Sequence, residues 1–141
     1  MLDGTKAAAL LENAGLRPTD LRLRILSAIL AAGASLSHRD LVDRMRGVDR
    51  VTIYRNLKLL KQSGLVHGVQ GVDGVLRYLA NPRAAQGCPG GHPHFLCTRC
   101  GKMSCLSDQE LPRVSVPSGA QVEGKQFLVY GLCVACSTAR R

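Results

Sequence analysis

The sequence predicts an α+β chain in two parts, an N-terminal winged helix-turn-helix domain and a small C-terminal α/β domain built around a four-cysteine zinc site. Three observations predict it. Apolar residues recur at three- and four-residue spacing between helix-capping signals over the first 61 residues. Two short β-prone runs then flank a glycine-bounded turn, and two C-x-x-C pairs follow a stretch rich in Pro, Gly and Ala. The expected boundaries are 1–80 for the first domain, 81–91 for a hinge or linker and 92–141 for the second.

Each element has a local reason. Ala7 to Ala14 is apolar and helix-favouring, and Gly15 follows where a left-handed cap belongs. Thr19 is placed to cap a second helix whose buried stripe is Ile25, Leu26, Ile29 and Leu30, with Gly33 as its stop. Ser37 and Asp40 have capping-box spacing ahead of Leu41, Val42 and Met45. Asp49 precedes a fourth helix from Arg50 to Lys61 with Ile53, Leu57 and Leu60 on one face, and Gly64 closes it. Leu65 to Val69 and Val75 to Leu79, separated by Gly71-Val-Asp-Gly74, form the expected hairpin or wing. Beyond the linker, His94 to Leu106 and Gln126 to Cys133 are β-prone, while Pro112 and Pro117 argue against a continuous helix between them.

Composition limits what such a chain can be. With 45% hydrophobic residues the 141-residue chain can form globular cores, but 4% aromatic content and no Trp keep each core small. A formal net charge of +9 suits a polyanionic partner, nucleic acid or an anionic membrane surface, and also plain solubility. No apolar run approaches the roughly 20 residues of a membrane span, and no signal-peptide pattern opens the chain, so a cytoplasmic protein is expected. In a reducing compartment six cysteines point to metal or redox chemistry rather than disulfides.

The cysteine spacing favours metal. Cys97-Thr-Arg-Cys100 and Cys133-Val-Ala-Cys136 each place two thiolates around one ion, and together they make a tetrahedral sulfur site suited to structural Zn²⁺. The competing reading, a redox dithiol, calls for a helix after the first cysteine, and Gly101 with the β-prone run beyond it opposes one there. A second set of candidate ligands comprises His67, Cys88, His92, His94 and Cys105. His92 and His94 alternate, so both side chains fall on one face. Imidazole and thiolate donors without a carboxylate pair suit Zn²⁺ better than Fe²⁺ or Mn²⁺. Which four of the five bind together is left open, and each taken singly has an ordinary buried or loop role as its alternative.

Arg44, Arg46, Arg50, Arg55, Lys58 and Lys61 crowd around the fourth helix against a single acid, Asp49. A solvated helix face is the usual origin of such a run. Here Arg50, Thr52, Tyr54 and Arg55 lie early on a helix preceded by a turn, where a recognition helix meets the major groove. Lys58 and Lys61 are better placed for phosphates. An enzyme is not expected, because four cysteines close the coordination shell and no H-x-E motif accompanies them. No small organic substrate or membrane partner is expected either.

These residues together resemble the ferric uptake regulator family, and within it the zinc uptake regulator branch. The resemblance runs from about Ala7 to Cys136. It is carried by Thr52-Ile-Tyr-Arg-Asn-Leu-Lys-Leu-Leu60, Gly64-Leu-Val, His92-Pro-His-Phe-Leu-Cys-Thr-Arg-Cys-Gly101 and Tyr130-Gly-Leu-Cys-Val-Ala-Cys136. It implies a homodimeric, metal-dependent repressor of double-stranded operator DNA, with Tyr54 and Arg55 as DNA contacts. It also implies Cys97, Cys100, Cys133 and Cys136 as structural zinc ligands and His92 and His94 as regulatory ligands. His67, directly after Gly-Leu-Val, is similar to the hinge ligand of the zinc-sensing branch.

The chain departs from the family pattern at several places. Ser35 stands where iron-sensing members often carry His, Ala80 where zinc-sensing members often carry Cys, and Cys105 where a carboxylate is common. Cys88 is the candidate replacement for the missing wing cysteine. Leu111 to Ser118 replaces most of a dimer-domain helix, and Lys125 occupies a frequent His position. Zinc sensing is the expected subtype. Redox or peroxide sensing, or response to iron, nickel or manganese on the same scaffold, is the alternative, followed by a constitutive DNA binder.

Overall fold

The computed structural model describes residues 2–32, 35–80, 92–106, 108–123 and 125–139, with the side chains of Leu2 and Asp3 left aside. The chain divides into two compact units, Met1–Cys88 and Pro89–Arg141.

In the first unit, α1 spans Leu2–Asn13 and α2 spans Asp20–Ala32. Helix α1 starts five residues before the expected Ala7: no proline interrupts Leu2–Lys6, and the helix runs through Gly4 despite its poor helix propensity. Its end is the expected one: Gly15 has φ 76°, the Leu16 amide donates to Leu11 O at 2.8 Å, and that of Gly15 donates to Glu12 O at 3.0 Å. Thr19 Oγ1 accepts from the Arg22 amide at 3.3 Å and caps α2. Ile25, Leu26 and Ile29 are buried and Leu30 packs partly against them. Gly33, the expected stop, lies outside the described residues.

Helix α3, His38–Arg44, opens on a full capping box. The Asp40 amide donates to Ser37 Oγ at 3.1 Å and the Ser37 amide to Asp40 Oδ2 at 2.9 Å. Helix α4, Arg50–Gln62, is capped by Asp49, whose Oδ2 accepts from the Thr52 amide at 3.3 Å. Ile53, Leu57 and Leu60 of α4 are fully buried beside Ala7, Leu11, Ile25, Leu26 and Leu41. Fully burying such a large aliphatic side chain stabilises the fold by about 1.5–3 kcal/mol. Between α2 and α4, Arg22 Nε donates to Asn56 Oδ1 at 3.1 Å, and Asn56 Nδ2 donates on to Thr52 O at 2.8 Å.

The wing follows as β2, Val66–Gln70, and β3, Leu76–Ala80, antiparallel with Gly68 opposite Tyr78. Both strands begin one residue later than expected. Leu65 belongs to the capping turn that follows α4, where its amide donates to Leu60 O at 3.1 Å beyond Gly64 at φ 80°. Val75 belongs to the turn, its amide held by Asp73 Oδ1 at 3.1 Å. The sequence reading also missed β1, Leu36–Ser37, which pairs with β3 and makes the order β1-β3-β2.

In the second unit, β4, His94–Cys97, and β5, Met103–Cys105, form an antiparallel pair. A parallel strand, β6, Leu128–Gly131, lies on the other side of β4. The long β-prone stretch His94–Leu106 is therefore broken by the turn at the first cysteine pair. A short helix absent from the sequence reading, α5, covers Val134–Thr138. The described residues of 106–127 contain neither helix nor strand, in keeping with Pro112 and Pro117. The apolar core of this unit among the described residues is Leu96, Cys97 and Met103, too little to hold about 50 residues without help.

Candidate metal centres and nucleic-acid face

The two cysteine pairs are brought together by the parallel pairing of β4 with β6. Cys97 lies opposite Gly131, so the turn after β4 and the start of α5 arrive at the same end of the sheet. The Sγ atoms of Cys97, Cys100, Cys133 and Cys136 all lie within 4.8 Å of one another, and Cys100 Sγ is 3.9 Å from Cys133 Sγ. Zinc bonded to sulfur at about 2.3 Å in a tetrahedron requires sulfur–sulfur edges of about 3.8 Å, so the four residues fit that ion.

Backbone amides prepare the pairs. The Cys100 amide donates to Cys97 Sγ at 3.5 Å, and that of Cys136 donates to Cys133 Sγ at 3.5 Å. The Cys100 N–H, with help from Cys133 and Arg99 backbone groups, lowers the Cys97 thiol to about 5. Hydrogen bonding with Cys133, reinforced by burial, pushes Cys136 up to about 12. The surroundings thus favour the thiolate at Cys97 and the thiol at Cys136, and binding a metal to all four as thiolates must displace protons. The expectation that no helix follows the first cysteine pair holds, whereas at the second pair one does. Cys133 is the N-cap of α5, yet the neighbouring sulfurs of the first pair make a four-ligand centre rather than a lone dithiol.

A second cluster lies in the same unit. The His92 and His94 rings are 4.6 Å apart and tilted by 41°, and both residues are buried. Cys105 faces His94 directly across the β4–β5 pair. The ligand atoms of His92, His94 and Cys105 lie within 4.8 Å of one another. His67 is on β2 of the first unit, opposite Leu79. Cys88 lies outside the described residues.

On α4, Arg50, Thr52, Tyr54, Arg55, Lys58 and Lys61 are all exposed, opposite the buried Ile53, Leu57 and Leu60. The Thr52 hydroxyl donates to Asp49 Oδ2 at 3.3 Å, so this residue also serves the cap. Sequence reasoning missed His38, whose Nε2 lies 2.8 Å from Arg50 O and whose ring meets Tyr54 edge-on at 5.9 Å. It also missed Thr98 and Arg99 inside the first cysteine pair. Thr98 Oγ1 donates to Gly131 O at 3.1 Å, and Arg99 Nη1 donates to Cys136 O at 3.2 Å. No spacing signal could have found them, since their partners are 33 and 37 residues away.

A winged helix-turn-helix unit joined in one chain to a four-thiol metal centre defines a class of metal-responsive transcription regulators, not enzymes. The sequence model of the ferric uptake regulator family matches residues 13–125, and the chain belongs to that family. It is similar to the ferric uptake regulation protein of Staphylococcus aureus, 30% identical over 139 residues, covering 92% of this chain and 95% of that one. It is also similar to the peroxide operon regulator of Bacillus subtilis, 26% identical and covering 94% and 92%. Among solved structures, a zinc uptake regulator complexed with zinc and DNA superposes with TM-score 0.72 at 22% identity, covering 96% and 93%. Holo XcZur superposes with TM-score 0.67 at 27% identity, covering 96% and 99%.

Proposed function

We propose that this chain is a zinc-responsive repressor of the cytoplasm that binds two-fold operator DNA as a homodimer with zinc as corepressor. The observation that carries the reading is the convergence of His92, His94 and Cys105, two imidazoles and a thiol with no carboxylate among them. That donor set favours Zn²⁺ over Fe²⁺ or Mn²⁺. In this reading His67 supplies a further ligand from the first unit, with Cys88 as the other candidate, and the four cysteines hold a structural Zn²⁺. A metal bound by both units favours one interdomain angle by its differential affinity for that arrangement. The dimer then presents two α4 helices to successive major grooves, about 34 Å apart. Arg50, Thr52, Tyr54 and Arg55 face base edges and adjoining backbone, and Lys58 holds phosphate.

Replacing His92 and His94 together by Ala tests the corepressor site. The expected result is loss of zinc-stimulated operator binding with one zinc per chain retained by the cysteines. Zinc-stimulated binding that survives the double substitution would sink the reading. A second reading, redox or peroxide sensing, draws on Cys105 beside the two histidines and on the similarity to a peroxide operon regulator. Release from DNA on adding peroxide at constant zinc would favour it.

A further inference from the structure

We propose that Arg99 is a positioning residue that locks the second cysteine pair onto the first and so sets how slowly the four-sulfur centre gives up its metal. Helix α5 delivers Cys136, and at five residues it is far too short to persist alone. Its last carbonyls need partners from elsewhere. Thr138 Oγ1 donates to Val134 O at 2.9 Å and the Ala139 amide to Ala135 O at 3.0 Å. Arg99 Nη1 takes the next carbonyl, Cys136 O, at 3.2 Å, and reaches Ala139 O at 3.4 Å. The residue before it, Thr98, grips the other side of the same pair: its amide donates to Gly131 O at 2.7 Å, two residues ahead of Cys133. The turn between Cys97 and Cys100 therefore clasps the second pair before and behind.

Charge adds to the clasp. Zn²⁺ with four thiolates carries a formal −2, and a guanidinium held beside the helix C-terminus offsets both that charge and the negative end of the helix. A cation with several donors in a fixed fork does this better than an ammonium, which can serve fewer carbonyls at once. The inference rests on the zinc reading of the four cysteines and goes beyond it, since nothing in that reading requires an arginine at 99.

The test uses the full-length protein with zinc bound as purified, challenged with excess EDTA, and follows the slow phase of zinc release. Helical circular dichroism, dominated by α1 to α4, is recorded in parallel. Removing the partner of a metal ligand's support usually costs 10- to 100-fold in metal affinity. Arg99→Met is therefore expected to speed the slow phase about tenfold with the helical signal intact. Arg99→Lys should fall between Arg99→Met and wild type, and Lys102→Met, which removes a nearby charge and leaves Arg99 in place, should match wild type. The assignment is overturned if Arg99→Met releases zinc at the wild-type rate, or if Lys102→Met speeds release as much. Loss of the helical signal in Arg99→Met would also overturn it, since the effect would then not be confined to the cysteine pair. A wild-type protein with no slowly released zinc would overturn both this assignment and the zinc reading beneath it.

Discussion

Arg55 and Lys58 stand one turn apart on the exposed face of α4, and their chemistry separates what each can do on DNA. A guanidinium can take two acceptors of one guanine, whereas an ammonium meets phosphate as a point charge. Arg55→Ala should cost about 1–3 kcal/mol on the operator and relax preference at one base pair. Lys58→Ala should weaken operator and scrambled DNA alike and lower the salt slope by about one. Titrations of both DNAs across salt concentrations check this, and an Arg55→Ala effect equal on both sequences would contradict it. The exposed basic residues and the seven histidines and cysteines of the described metal clusters could be picked from the sequence because their meaning is in residue type and spacing. His38 against Tyr54 and Arg99 against α5 could not, because those contacts exist only once distant segments pack together.

The wing shows how much of an element is local. Its turn is written in Gly71-Val-Asp-Gly74, with Gly74 at φ 81° and Asp73 accepting from Arg77 Nη2 at 2.7 Å and Nη1 at 3.0 Å. The Arg77 guanidinium holds the Asp73 carboxyl at about 2, below its ordinary 3.8. A depressed carboxylate stabilises the fold fully above its ordinary value and loses that contribution as pH falls through the depressed one. The wing ion pair should thus persist at pH 4 and fail toward pH 2. Carboxyl chemical shifts of Asp73 across that range check the sign, and a midpoint near 4 would contradict it. Helices α2 to α4 were legible because caps and buried stripes coincide within each. Strand β1 was not, since its two residues are a strand only through β3, and α5 was not, since five residues after a cysteine N-cap give no periodicity to read.

For the molecule as a whole, the division of labour follows from where core residues are available. The first unit buries a continuous cluster contributed by all four helices and the sheet, while the second has a few buried residues around two ligand clusters. Net charge of +9 adds attraction for a polyanion to whatever specificity α4 supplies. The two-part α+β organisation was legible because the helix signals stop and the C-x-x-C pairs begin on opposite sides of a Pro- and Gly-rich stretch. The exact donors of the second cluster were not, since five candidates shared one chemistry and only folding decides which of them meet. No described helix is long and apolar enough to cross a membrane.

The measurement that bears most directly on zinc-controlled repression is operator affinity before and after mild chelation, with zinc per chain counted on the same samples. Chelation should remove one zinc, leave one behind and abolish operator binding, and added zinc should restore both the count and the binding. One tightly held zinc per chain with operator binding indifferent to chelation would contradict it.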